Sequence, residues 1–146
     1  MSFRQSVAGL RWRAVGTAPL AVAGVALSMA AVLRVRDPHV PGSYGTCPFL
    51  ALTGLPCPGC GGLRAVNDLT RGDLAGALGS NLYTVATLLA AALAWVGWVW
   101  SRAGGRRPRL GLQDDASATR LAVVWAAGLV VFAVLRWLPP FAVLRP

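Results

Sequence analysis

The stretch from Ala14 to Leu33, AVGTAPLAVAGVALSMAAVL, holds twenty residues and no charge. At 1.5 Å per residue a helix of that length reaches about 30 Å, the thickness of a bilayer's hydrocarbon core. Arg11 and Arg13 precede the run and Arg34 and Arg36 follow it, so the charge falls where headgroups lie. A charged side chain at mid-bilayer costs about 2.5–3.5 kcal/mol on insertion scales, and this run avoids that cost throughout. The alternative is a signal peptide, with a basic start, an apolar stretch and Ser28-Met29-Ala30 as the cleavage site. The apolar run is long for a signal peptide and continues past that cut, which favours a retained helix.

Working outward, the same pattern recurs twice. Leu82 to Trp100 is uncharged, with Trp95, Trp98 and Trp100 gathered at one end and Arg102 just beyond, the signature of a membrane interface. Leu121 to Leu138 carries one charge, Arg136, close enough to the end to snorkel outward to the headgroups. Trp137 would sit at that interface, and Pro139-Pro140 stops the helix because neither residue can donate a backbone hydrogen bond. The expected architecture is therefore an all-α integral membrane protein forming a single domain over 1–146. Its transmembrane helices lie at about 14–33, 82–100 and 121–138. A Cys/Pro/Gly-rich loop with a short interfacial or re-entrant helix fills about 34–81, and a cytoplasmic link fills 101–120.

Composition agrees. Charged residues make up 13% of the chain, about half the share in a soluble domain. The net charge of +9 comes from arginine alone, with no lysine and no glutamate. The arginines cluster at the ends of apolar segments, as determinants of topology and contacts for lipid headgroups. Nucleic-acid binding would need a basic face or a reader module, and neither is present. Arg4, Arg11 and Arg13 precede the first apolar segment, and Arg102, Arg106, Arg107, Arg109 and Arg120 crowd the link. In the long loop Arg34, Arg36, Arg64 and Arg71 are diluted and partnered by Asp37, Asp68 and Asp73. The positive-inside rule then expects a multi-pass protein of the inner (plasma) membrane, N-terminus cytoplasmic and cysteine loop extracytoplasmic.

Within that loop, residues 37–62 are dense in proline and glycine and read as irregular chain. Residues 63–80 regain helical spacing, with Leu63, Val66 and Leu69 expected to share one face. Gly72 breaks the pattern, and Asp73 can cap a second short helix carrying Leu74, Ala77 and Leu78.

All three cysteines lie here, as Cys47-Pro48 and Cys57-Pro58-Gly59-Cys60-Gly61-Gly62, and the only histidine, His39, precedes them. Three chemistries compete. A disulfide from Cys47 to Cys57 or Cys60 would close about a dozen residues and contribute roughly 3 kcal/mol on the chain-entropy estimate, leaving one thiol over. A metal site is the second: Cys-Pro-x-Cys-Gly resembles one knuckle of a zinc ribbon, with a glycine permitting the tight turn. A ribbon needs two knuckles, so Cys47 and His39 would have to complete a Cys₃His set around zinc. Thiol redox chemistry is the third, with Cys57 and Cys60 as the pair before a helix and Cys47 as a relay, though no thioredoxin-like βαβ pattern accompanies them. Other enzyme chemistry lacks its parts. There is no glutamate, Asp114-Asp115 sits beside an arginine cluster, and the Gly59, Gly61 and Gly62 cluster lacks the strand and Lys-Ser/Thr of a P-loop.

The run Cys47-Pro48-Phe49, Leu52-Thr53-Gly54, Pro56-Cys57-Pro58-Gly59-Cys60-Gly61, Arg64-Ala65, Gly72-Asp73 and Asn81 resembles a bacterial membrane family catalogued as domain of unknown function 2752. The resemblance covers about residues 45–100 and departs at Leu63, where many members have threonine. It implies a small helical membrane protein and no established activity. It also implies that Cys47, Cys57, Cys60 and Arg64 act as a unit, supported by Gly59, Gly61, Asp73 and Asn81. Arg64, one turn after Cys60, could hold a thiolate or an acidic partner electrostatically, or face the headgroups.

The functional expectation is a non-enzymatic membrane protein whose locked extracytoplasmic cysteine loop docks a membrane or envelope partner. The alternative is a membrane thiol–disulfide or zinc-binding protein using the CPGC motif.

Overall fold

Five helices account for most of the residues that the structure, a computed structural model, describes: 15–104 and 115–138. In chain order they are α1 (Ala18–Val35), α2 (Pro48–Thr53), α3 (Gly62–Arg71), α4 (Leu74–Arg102) and α5 (Asp115–Trp137), and no strand occurs among the described residues. Arg4, Arg11, Arg13, Arg106, Arg107, Arg109, Asp114 and Pro139-Pro140 lie outside them.

Helices α1, α4 and α5 are long and apolar enough to cross a membrane. They point their large apolar side chains outward: Leu20, Leu27, Leu89, Leu93, Val123, Val124 and Val130 are each more than half exposed. In water that surface would be a severe liability; against lipid it is the expected face. The interior holds small and apolar residues such as Ala65, Ala77 and Phe132 together with several polar side chains. Asn67, Asp68, Asn81 and Arg136 are all buried, and they tie the elements together.

Their bonds order the bundle. At one end Arg102 Nη1 donates to the Val15 carbonyl at 3.4 Å, and Trp95 Nε1 donates to the Pro19 carbonyl at 3.2 Å. At the other, Asn67 Nδ2 donates to the Leu33 carbonyl at 2.6 Å, joining α3 to the last turns of α1. The cysteine loop and α3 thus cap one end of the helices. Tyr83 forms the seam between α4 and α5. Its ring stacks on Phe132 at 5.6 Å and tilts against Trp125 at 5.2 Å, and its hydroxyl donates to the Trp125 carbonyl.

The structure departs from the sequence expectation at three places. Residues 48–53, read as irregular, form α2, because Pro48 suits a first helical turn and Gly54 ends the helix in the left-handed region. The expected short helix from Leu74 and the span from Leu82 are one helix, α4, interrupted only at Asn81, whose φ of −165° and ψ of 96° are extended. Asp73 starts it, its carboxylate accepting from the Gly76 N–H at 2.8 Å. Helix α3 buries Ala65, Asn67 and Asp68, while Leu63 is 46% exposed. Beside lipid, the polar face of such a helix is the one that must find partners. Finally, Arg136 is fully buried instead of snorkelling outward.

Candidate metal centre

Pro48 opens α2 and restricts the residue before it to extended backbone, so Cys47 becomes the N-cap at φ −61°, ψ 122°. Its sulfur then lies at a helix N-terminus. The Leu50 N–H, followed by the Cys57 thiol, holds the Cys47 thiol below its ordinary range. Cys57 and Cys60 are brought together by a turn in which the Cys60 N–H donates to the Cys57 carbonyl at 3.0 Å. A second turn follows, the Gly62 N–H donating to the Gly59 carbonyl at 2.9 Å. Gly61 closes the knuckle at φ +83°, a conformation costly for any residue with a Cβ, and serves as the N-cap of α3.

The result is a three-sulfur cluster. Cys57 and Cys60 sulfurs are 3.1 Å apart, Cys47 and Cys57 sulfurs are 3.5 Å apart, and all three lie within 4.8 Å of one another. No pair stands at bonding distance; all three thiols are free. Burial, with the neighbouring Cys57 thiol second, pushes Cys60 up to about 12.

Two buried side chains grip the knuckle from behind. Asn81 Nδ2 donates to the carbonyls of Pro58 at 2.9 Å and Cys60 at 3.0 Å, while its Oδ1 accepts from the Thr84 N–H at 2.9 Å. One residue thus restarts α4 after the break and holds the CPGC turn. Arg136 Nη1 donates to the carbonyls of Cys57 at 3.3 Å, Pro58 at 3.5 Å and Cys60 at 3.1 Å, and its guanidinium lies 5.2 Å from the Phe132 ring centroid. Trp137 adds a bond from Nε1 to the Pro56 carbonyl at 3.0 Å and stacks on Phe49 at 6.3 Å.

The remaining sequence candidates are placed elsewhere. Arg64 donates from Nε to the Pro38 carbonyl at 3.4 Å rather than to a thiol. His39 is held between Asp37, 2.9 Å from Nδ1, and Asp68, 3.3 Å from Nε2, so two carboxylates occupy the ring nitrogens that a Cys₃His set would need. Arg71 completes that second cluster with a 2.8 Å ion pair to Asp37. The backbone N–H of His39, then its ring, holds the Asp37 carboxyl below its ordinary range. Arg136 and Trp137 were missed as site residues. The signal for the first was an arginine inside an otherwise uncharged apolar segment, which in lipid demands a partner.

A tetrahedral zinc ion with Zn–S bonds of about 2.3 Å places its sulfurs about 3.8 Å apart. The three thiols are close to that spacing and could hold such an ion. Three donors leave one coordination position for water or an incoming ligand, the arrangement of an open rather than a closed site.

Three membrane-length helices capped by a cluster of soft donor atoms define a small multi-pass helical membrane protein with a candidate thiolate centre. Residues 47–95 match the model of the family described as Protein of unknown function (DUF2752), the family that the cysteine core resembles. That segment contains all three cysteines, Arg64, Asp73 and Asn81, and ends before α5. No curated protein and no solved structure matches the chain.

Proposed function

We propose that this is a membrane protein that binds a thiophilic divalent ion, with zinc as the reference case, through Cys47, Cys57 and Cys60. We further propose that the centre faces the extracytoplasmic side of the plasma membrane, as the arginine distribution favours. The observation that carries the metal reading is the convergence of three sulfurs from two separate chain segments to within 4.8 Å. Metal binding requires deprotonated sulfur, and the bound ion supplies the charge that makes a half-buried thiolate such as Cys60 tolerable.

The sequence-derived idea of a locked loop is supported in a different form. The locking comes from Asn81, Arg136 and Trp137 acting on loop carbonyls, with no disulfide needed. A loop held this firmly would also suit the docking of a membrane or envelope protein.

The test is protein extracted into mild detergent without reductant or chelator, analysed for metal content and for alkylatable thiols. The expected result is about one zinc per chain, with three thiols that become reactive once a chelator is added. Three freely reactive thiols that take up no zinc or cadmium would overturn the proposal. A Cys57–Cys60 disulfide that exchanges readily with small thiols, and no ion, would favour thiol–disulfide exchange instead, with Cys47 as the attacking sulfur. The cysteine-to-serine variants C47S, C57S and C60S should each lose metal, and loss by only one would refute a shared centre.

A further inference from the structure

Helix α5 meets α4 and the cysteine loop through its middle and its C-terminal end. In its middle, Phe132 and the Trp125 carbonyl meet Tyr83 of α4. At its C-terminal end, Arg136 and Trp137 donate to the carbonyls of Pro56, Cys57, Pro58 and Cys60. Two of those carbonyls belong to the proposed metal ligands themselves. The final turn of a membrane-spanning helix is therefore bonded to the backbone that aims the thiols.

Resting on the metal reading above, we propose that Arg136 is a positioning residue of the centre, and that through it ion binding at the loop and docking of α5 are energetically linked. An ion on Cys57 and Cys60 fixes the turn between them, and that turn presents its carbonyls to Nη1 of Arg136 as a ready-made acceptor set. Conversely, a docked α5 holds the turn in the shape that the ion needs and so lowers the cost of ordering it on binding. Linkage of this kind is reciprocal: whatever factor α5 contributes to ion affinity, the ion contributes to α5 docking. The fully buried position of Arg136 gives the bonds their weight, because a guanidinium withdrawn from water depends on its acceptors. The neighbouring Asn81 holds two of the same carbonyls from α4, so the ion site is clamped by both helices that flank it.

The experiment uses the full chain in detergent or nanodiscs and titrates zinc against a competing chelator. The chains compared are wild type, R136Q and R136K. Hydrogen exchange at the C-terminal half of α5 is followed in parallel with and without zinc. Removal of charge-assisted bonds of this type predicts zinc binding roughly ten- to a hundredfold weaker in R136Q. R136K, which keeps a charged donor, should recover part of that loss. In wild type, zinc should slow exchange near Arg136, and in R136Q that slowing should shrink by the same factor as the affinity. Wild type that binds no zinc would sink the metal reading and this linkage with it. Zinc bound equally well by wild type and R136Q, or exchange in α5 indifferent to zinc, would overturn the linkage and leave the metal centre standing. If R136Q fails to fold, the wild-type exchange measurement and the R136K titration decide the matter alone.

Discussion

Replacing Asn81 by alanine isolates the join between α4 and the cysteine turn. The side chain makes three bonds, two as donor to the Pro58 and Cys60 carbonyls and one as acceptor from the Thr84 N–H. Loss of an N-cap costs about 1 kcal/mol. Each carbonyl bond contributes about 0.5–1.5 kcal/mol, and the low end applies because Arg136 Nη1 also reaches the same two oxygens, at 3.5 and 3.1 Å. The total is about 2 kcal/mol. Alanine also favours helix where Asn81 breaks it, so the turn preceding residue 81 would straighten and carry α3 with it. Serine separates the effects, since its hydroxyl can still cap Thr84 but is too short to span both carbonyls; N81S should lose about 1 kcal/mol. The assays are thermal unfolding in detergent and the rate at which a water-soluble maleimide modifies the cysteines of metal-free protein. The rate should rise in N81A above N81S, and in N81S above wild type. Equal stability and equal rates across the three chains would refute the assignment of Asn81 as the clamp on the CPGC turn.

Three further outcomes follow from the same geometry. Gly61 sits at φ +83°, so G61A should destabilise the protein by about 1–2 kcal/mol and lower its metal content, whereas an alanine at Gly79, where an added Cβ meets nothing within 4 Å, should not. In metal-free protein near neutral pH, limiting iodoacetamide should label Cys47 first and Cys60 last, since the α2 N-terminus lowers the one thiol and burial raises the other to about 12; mass-spectrometric peptide mapping reads the order, and the reverse order would refute it. The His39 backbone N–H and ring hold the Asp37 carboxyl below the ordinary carboxylate range, so its contribution to stability is complete above the unfolded pKa and fades as pH falls through the lower folded value; the difference in thermal midpoint between wild type and D37N should therefore shrink in acid and persist at neutral pH.

Much of the fold was legible because lipid imposes a simple rule on sequence. Apolar runs of bilayer length announce α1, α4 and α5, and the C-terminal ends of α4 and α5 are marked by Arg102 and Trp137. Proline and glycine were less informative, since Pro48 and Gly54 delimit a helix as readily as a turn, and α2 was lost among them. The thiol cluster was legible as a motif, but the grouping of its three sulfurs rests on chain segments ten residues apart folding together. Arg64 was offered as a partner for a thiolate because it is near the cysteines in sequence, with a headgroup-facing position as the alternative. The guanidinium that reaches the cysteine turn comes instead from Arg136, seventy-six residues beyond Cys60, and no local pattern connects the two. His39 was offered to the metal on residue type alone. Asp37 and Asp68 are better partners for it, and only the approach of α3 to the end of α1 reveals them.

The break at Asn81 also sets a depth. From Asn81 to Arg102, and again from Asp115 to Arg136, the rise at 1.5 Å per residue is about 32 Å, one hydrocarbon thickness. Asn81 and Arg136 meet at the same Pro58 and Cys60 carbonyls and so stand level with each other; on the membrane reading proposed above, that level is the waterline of one leaflet, with the sulfurs beside it. On that reading a reagent or ion would reach the thiols through the headgroup layer rather than through the acyl chains. The composition of that leaflet, by drawing cations toward its surface or leaving them in bulk solution, would then govern how fast the thiols are reached.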